Sequence, residues 1–120
     1  MTRFATIGSN FVTDSFLEAA QGVEGFQLEG VYSRTRARAE EFAAKWGAPR
    51  TYTSLDALCA DPAIEAVYVA SPNACHEAQT IALLKAGKHV LCEKPIAPDS
   101  AALARMARAA RETGRVLMEA

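Results

Sequence analysis

At 120 residues, half of them hydrophobic, the chain is long enough for one domain with its own core and too short for two ordinary ones. Thirteen basic residues against fourteen acidic ones leave a formal charge of -1, so no general field draws the protein to nucleic acid or an anionic membrane. The three cysteines, Cys59, Cys75 and Cys92, show neither CxxC spacing nor a companion histidine pair, which argues against a disulfide framework or a zinc site.

Phe4 to Ile7 forms the first predicted strand, ended by Gly8. The segment Met1 to Gly8 carries one arginine and then turns polar at Ser9 and Asn10. With no signal-peptide core and no later run of membrane-spanning length, a cytoplasmic protein is expected. A helix from Asp14 to Gln21 follows, with Thr13 as N-cap and Phe16, Leu17 and Ala20 on its apolar face. Gln27 to Tyr32 is the second strand. Through Ser33 it leads into an Ala- and Glu-rich helix that puts Phe42 and Trp46 inward and stops at Gly47 and Pro49. A brief strand, Arg50 to Thr53, precedes a helix capped by Ser54 and closed by Asp61-Pro62. Ile64 to Val69 reads as a buried strand. The next helix has Ala78, Ile81, Ala82 and Leu84 on its inner face and ends at Ala86-Gly87, and His89 to Cys92 is strand five. The last helix, Ser100 to Glu112, puts Leu103, Met106, Ala107 and Ala110 inward, and Val116 to Met118 begins a sixth strand. This alternation predicts one α/β domain over residues 1–120, a doubly wound parallel sheet of strand order 3-2-1-4-5-6.

In such a sheet, ligands bind outside the carboxyl ends of the strands, where backbone groups and helix N-termini can neutralise phosphate. Four polar loops fall on that edge: Gly8-Ser9-Asn10, Ser33-Arg34, Ser71-Pro72-Asn73 and Glu93-Lys94-Pro95. The first departs from G-x-G-x-x-G/A, with Gly8, Asn10 and Thr13 at the three positions. Asn10 can take the left-handed conformation of a tight turn, and Asp14 would repel phosphate if it faced inward. After strand two, Ser33, Arg34, Thr35 and Arg36 stand where a carboxylate would accept the ribose hydroxyls of NAD. Arginine suits the 2′-phosphate of NADP instead, so NADP is the expected cofactor and NAD the alternative. Arginines also stand at helix starts without any ligand.

Ser71-Pro72-Asn73 with His76, followed by the run from Ala86 through Lys88, Glu93 and Lys94 to Pro95, resembles the cofactor domain of the glucose-fructose oxidoreductase, inositol dehydrogenase and rhizopine catabolism family (Gfo/Idh/MocA). The resemblance spans the whole chain in register with the predicted strands. It implies a Rossmann-type domain of a nicotinamide-dependent oxidoreductase acting on a sugar, polyol or related hydroxy or carbonyl compound, homo-oligomeric in its full-length form. It also implies a separate substrate domain, absent from these residues, so the isolated chain is expected to be inactive. Carried over by position, Lys94 is the catalytic residue that reaches the substrate oxygen, Glu93 places the cofactor and that lysine, and Pro95 shapes the turn through a cis bond. The loop residues Gly8, Ser9, Asn10, Phe11 and Val12, with Ser33 and Arg34, would hold the phosphates and ribose. Ser71, Pro72, Asn73 and His76 would line the middle of the cofactor. No metal ligand is implied.

Rival readings are an isolated nucleotide-binding module without catalysis, and a nucleic-acid binder using Arg105, Arg108 and Arg111, which the net charge opposes. Thiol catalysis by Cys75 with His76 fails because adjacent helical residues point in different directions. Apolar surface near Val116 to Met118 is expected to be exposed and to make the isolated chain self-associate.

Overall fold

Short runs of β-branched and aromatic residues favour strands, and the alanine-rich stretches between them favour helices. In a computed structural model that describes residues 1–120, those runs become β1 (Thr2–Ile7), α1 (Phe11–Ala20), β2 (Phe26–Tyr32), α2 (Arg36–Trp46), β3 (Arg50–Tyr52) and α3 (Leu55–Ala60). They continue as β4 (Ala66–Val69), a single 3-10 turn (Asn73–Cys75), α4 (His76–Lys85), β5 (His89–Cys92), α5 (Ser100–Thr113) and β6 (Leu117–Glu119). All six strands pair in parallel in the order 3-2-1-4-5-6, as the alternation predicts.

Successive side chains of a strand point to opposite faces, and β1 shows the consequence. Ala5 and Ile7 join Val67, Val69, Val90 and Cys92 in one core layer, under Leu58 of α3, Leu83 and Leu84 of α4 and Ala109 of α5. Phe4 points the other way, into a layer with Val31, Leu17 and Ala20 of α1 and Phe42 and Ala43 of α2. α1 and α2 cover the β1–β2 side of that second face, and its side toward β5 and β6 stays open. Phe16 stacks on Tyr68 at 3.9 Å, and a 200 Å³ apolar groove runs past it to Val116 and Met118, which are 53% and 60% exposed. No helix is long and apolar enough to cross a membrane.

Three details of the predicted helices are corrected. α1 starts at Phe11 with Asn10 as its cap, three residues before the expected start, because the Asn10 side chain accepts from Val12 and Thr13 N–H and Thr13 is buried. The inner face of α4 is His76, Thr80, Leu83 and Leu84 rather than the one containing Ala78, which is exposed. The two polar residues on that face concealed it, since apolar periodicity cannot count them. On α5 the buried positions are Ala102, Met106 and Ala109, while Leu103 is left 42% exposed, so the helix packs one residue around from the predicted stripe.

Away from the strand ends where ligands bind, Asp61 knits β3, α3 and β5 together. Its carboxylate accepts from Tyr52 Oη at 2.6 Å, from Arg50 at 3.3 Å and from Ala63 N–H at 2.8 Å. Its carbonyl accepts from Lys88 Nζ at 2.6 Å. The Tyr52 hydroxyl, then the Ala63 amide, holds the Asp61 carboxyl below its ordinary value, and burial lowers the Lys88 ammonium. A depressed carboxyl contributes stability above its unfolded pKa and loses it as pH falls through the folded one. The urea midpoint is therefore expected to drop on acidification through the carboxylate range, and Tyr52→Phe to flatten that drop. A Tyr52→Phe chain with an unchanged acid profile would contradict this role of Asp61.

Candidate dinucleotide site

The carboxyl ends of β1, β2 and β4 diverge around a cleft of about 460 Å³, and the sequence of each connecting loop sets what the cleft presents. Gly8 ends β1 at φ 106°, where a side chain is strained, and a Cβ there would lie 2.5 Å from the Ala70 carbonyl oxygen. That close approach puts the β1–α1 loop directly against the end of β4. Asn10 then secures it from both sides: its Nδ2 donates to the Ala70 carbonyl at 3.1 Å while its Oδ1 caps α1. Asn10 is extended, at φ -95° and ψ -179°, and not left-handed as expected. The left-handed residue is Gly8, and the Asn10 cap needs an extended backbone. Asn10 Oδ1 occupies the Val12 and Thr13 amides, whereas the Phe11 N–H makes no hydrogen bond within the chain.

Asp14, the residue that would have opposed phosphate, faces away. It accepts from Trp46 Nε1 at 2.9 Å and from Lys45 at 3.1 Å, and the Trp46 bond first among these holds its carboxyl below the ordinary range.

Across the cleft, Ser33, Arg34 and Thr35 follow β2, and Thr35 caps α2 by accepting from Arg38 N–H. That cap turns the next helical turn toward the first loop. Arg38 donates from Nη2 to the Ser9 carbonyl at 2.6 Å and from Nε to Ser9 Oγ at 3.0 Å, spanning α2 and the β1–α1 loop. Arg36, one of the two arginines marked in the sequence, instead pairs with Glu40 and does not line the cleft. The arginine that joins Arg34 on the cleft is Arg38. The clue was present: a Thr N-cap at position 35 sets Arg38 at the third helical position, whose amide bonds back to the cap, so the side chain leaves the helix beside the loop. Tyr32, Cys75 and Gln79 are further lining residues that the sequence reading did not include.

The β4 loop closes the third side. Ser71 and Pro72 line the cleft, and Ser71 Oγ donates to Gln79 Oε1 at 2.6 Å. Asn73 and Pro95 border a smaller 220 Å³ cavity between the 3-10 turn and the loop after β5. In that loop the Lys94–Pro95 bond is cis, Glu93 accepts from Tyr68 Oη at 2.6 Å, and the Lys94 side chain is exposed. Burial, with Glu93 beside it, pushes the Tyr68 phenol up. His76 departs from expectation. It is 1% exposed and lies beneath the loops, with its ring nitrogens 2.9 Å from the Pro95 and Ser71 carbonyl oxygens, so it joins two loops and lines neither cavity.

Among the residues lining the main cleft there are two arginines, four hydroxyl side chains of Ser and Thr, and no carboxylate. This donor-rich lining fits an anion, and it fits a phosphorylated ribose better than one that needs a carboxylate acceptor.

Residues 2–120 match the profile described as oxidoreductase family, NAD-binding Rossmann fold (GFO_IDH_MocA). The chain is 50% identical over 120 residues to the scyllo-inositol 2-dehydrogenase (NADP(+)) IolU of Bacillus subtilis strain 168, covering all of this chain and 37% of that protein. It is 37% identical over 117 residues to the 1,5-anhydro-D-fructose reductase of Ensifer adhaerens, covering 98% of this chain and 35% of that enzyme. Among solved structures, the open conformation of KijD10, a 3-ketoreductase from Actinomadura kijaniata in complex with TDP-benzene and NADP, superposes with a TM-score of 0.93. It is 32% identical, with 98% of this chain and 37% of that one covered. The chain therefore spans little more than a third of the length of such relatives.

Gly8→Ala is expected to cost at least about 1 kcal/mol, because it adds a left-handed strain to a backbone collision. Asn10→Ala should cost about 1–2 kcal/mol through loss of the cap. Urea denaturation measures both, and a Gly8→Ala chain as stable as the parent would mean that the loop is not pinned to β4.

Proposed function

The chain belongs to the oxidoreductase family with an NAD-binding Rossmann fold, and from that premise we propose that residues 1–120 are the cofactor domain of an NADP-dependent oxidoreductase. In the longer protein it would act on a sugar, a polyol or a related hydroxy or carbonyl compound. The observation that carries the cofactor choice is the cleft lining: Arg34 and Arg38 beside Ser33 and Thr35, with no carboxylate to accept ribose hydroxyls. NAD is the alternative cofactor. The names of the B. subtilis and A. kijaniata relatives, which carry NADP(+) and NADP, support the choice made from the residues.

In this reading Gly8 and Ser9 receive the pyrophosphate by close backbone approach, with the Phe11 amide and Val12 at the start of α1 behind them. Asn10 holds that loop in shape more than it touches the ligand. Arg34 pairs with the 2′-phosphate, while Arg38, fixed on Ser9 through Nε and Nη2 and paired with Glu41 through Nη1, presents its remaining N–H groups to the same group. Ser71, Pro72 and Asn73 line the path to the nicotinamide. The cofactor supplies the hydride chemistry. Lys94, exposed at the loop beyond β5, is the catalytic residue: its ammonium hydrogen-bonds the substrate oxygen, stabilises negative charge there and relays its proton. Glu93, anchored by Tyr68, and Pro95 set the direction of that loop.

A second reading is a nucleotide-binding module without catalysis, which the same cleft lining would serve. A cytoplasmic location is consistent with the three free thiols. Homo-oligomerisation is proposed for the longer protein only.

NADP is expected to raise the melting temperature more than NAD at equal concentration, since a ligand that binds only the folded state stabilises it. Arg34→Ala should weaken NADP by about one to two powers of ten and change NAD affinity little. A larger shift with NAD, or equal losses for both dinucleotides, would overturn the cofactor assignment.

A further inference from the structure

We propose that His76 is a positioning residue that works as an imidazolium clasp, both of its ring nitrogens donating, and so fixes the Lys94 loop against the end of β4. Its Nδ1 lies 2.9 Å from the Pro95 carbonyl oxygen and its Nε2 lies 2.9 Å from the Ser71 carbonyl oxygen. Both partners are acceptors only. A neutral imidazole carries one N–H, so it satisfies one carbonyl and turns a lone pair on the other. The cation satisfies both. The ring is 1% exposed and its bond to the Ser71 carbonyl is buried, so no water replaces a donor lost there, and a lone pair turned on the Pro95 carbonyl at 2.9 Å is repulsive. The chain's other histidine shows the opposite arrangement. His89 Nδ1 accepts from Val116 N–H at 3.0 Å, which requires that Nδ1 carry no proton.

The titratable groups on the surrounding elements are bound elsewhere. On α4, Glu77 pairs with Arg105 of α5, and Asp99 caps α5 through Ala102 N–H. Glu93 beyond β5 accepts from Tyr68, and Glu119 of β6 accepts from Ile96 N–H. Cys75 and Cys92 make no bond to the ring, and the Lys94 side chain is exposed. Protonated, the ring bridges Ser71 and Pro95, the two loops that border the cofactor path and carry Lys94. On losing a proton it keeps one bond and releases the other, so the doubly protonated ring holds both loops and the neutral ring holds one.

The consequence for Lys94 rests on the functional reading above, whereas the clasp itself does not. The test is nitrogen-detected NMR of the 120-residue chain with labelled histidine rings, recorded from about pH 5 to about pH 9 without nucleotide. The expected result is a His76 ring with two slowly exchanging N–H protons at the acid end. Loss of one should move the amides of Ser71, Asn73, Lys94 and Ile96 at the same midpoint. A His76 ring that holds a single neutral tautomer over the whole range overturns the proposal, as does a titration that leaves those amides still. His76→Gln, which has one amide nitrogen, should place the Lys94 amide at its high-pH position at every pH. Persistence of the pH dependence in that variant would also overturn it. Because no dinucleotide is present, failure of the clasp and failure of the NADP assignment are read separately.

Discussion

The contact between Gly8 and the Ala70 carbonyl sets the geometry on which the rest of the site depends. Only a residue without Cβ, at φ 106°, brings the end of β1 this close to the end of β4. From that contact the loop turns straight into α1, Asn10 bonds back to Ala70, and the helix N-terminus comes to rest at the mouth of the cleft. The parallel order 3-2-1-4-5-6 places β1 at the centre, where connections leave it in opposite directions, and a crevice opens there in any doubly wound sheet.

Chemistry is then added by side chains that the helices aim into the crevice. Thr35 caps α2, the cap sets the angle of Arg38, and Arg38 ties α2 to the β1–α1 loop by two hydrogen bonds to Ser9. The acidic groups nearby are held elsewhere: Asp14 by Trp46 and Lys45, Glu41 by Arg38 and Glu40 by Arg36. What remains facing the cleft is a set of donors around a small opening, an arrangement that selects for an anion independently of any one residue. On the far side, Glu93 with Tyr68 and His76 with Pro95 hold the loop that carries Lys94.

Much of this was legible in the chain itself. Strand order followed from alternation, and the ends of α2 and α4 followed from Gly47 and Gly87, both left-handed. The four polar loops fell at one edge because each strand is parallel, so one assignment fixed the side of all. Legibility failed where a polar residue took an apolar position or where a side chain acted at a distance. His76 and Thr80 form the inner face of α4, so counting apolar residues placed the face on Ala78. Asn10 was read for its backbone freedom, yet its side chain caps α1. Arg34, the arginine assigned to the cofactor, lines the cleft, and Arg38 joins it through the angle set by the Thr35 cap. Each error concerns a hydrogen bond between residues distant in sequence or a cap, which local periodicity does not encode.

The account stands or falls on where the dinucleotide sits, and the direct measurement is the amide NMR footprint of NADP titrated into the chain. The expected changes cluster at Gly8 to Val12, Ser33 to Arg38, Ser71 to Asn73 and the Lys94 loop. A larger apolar cavity, about 560 Å³ between Leu17, Phe26 and Trp46, lies at the opposite edge of the sheet and should stay silent. Changes centred on that cavity, with the Gly8 and Arg38 amides unmoved, would contradict the account.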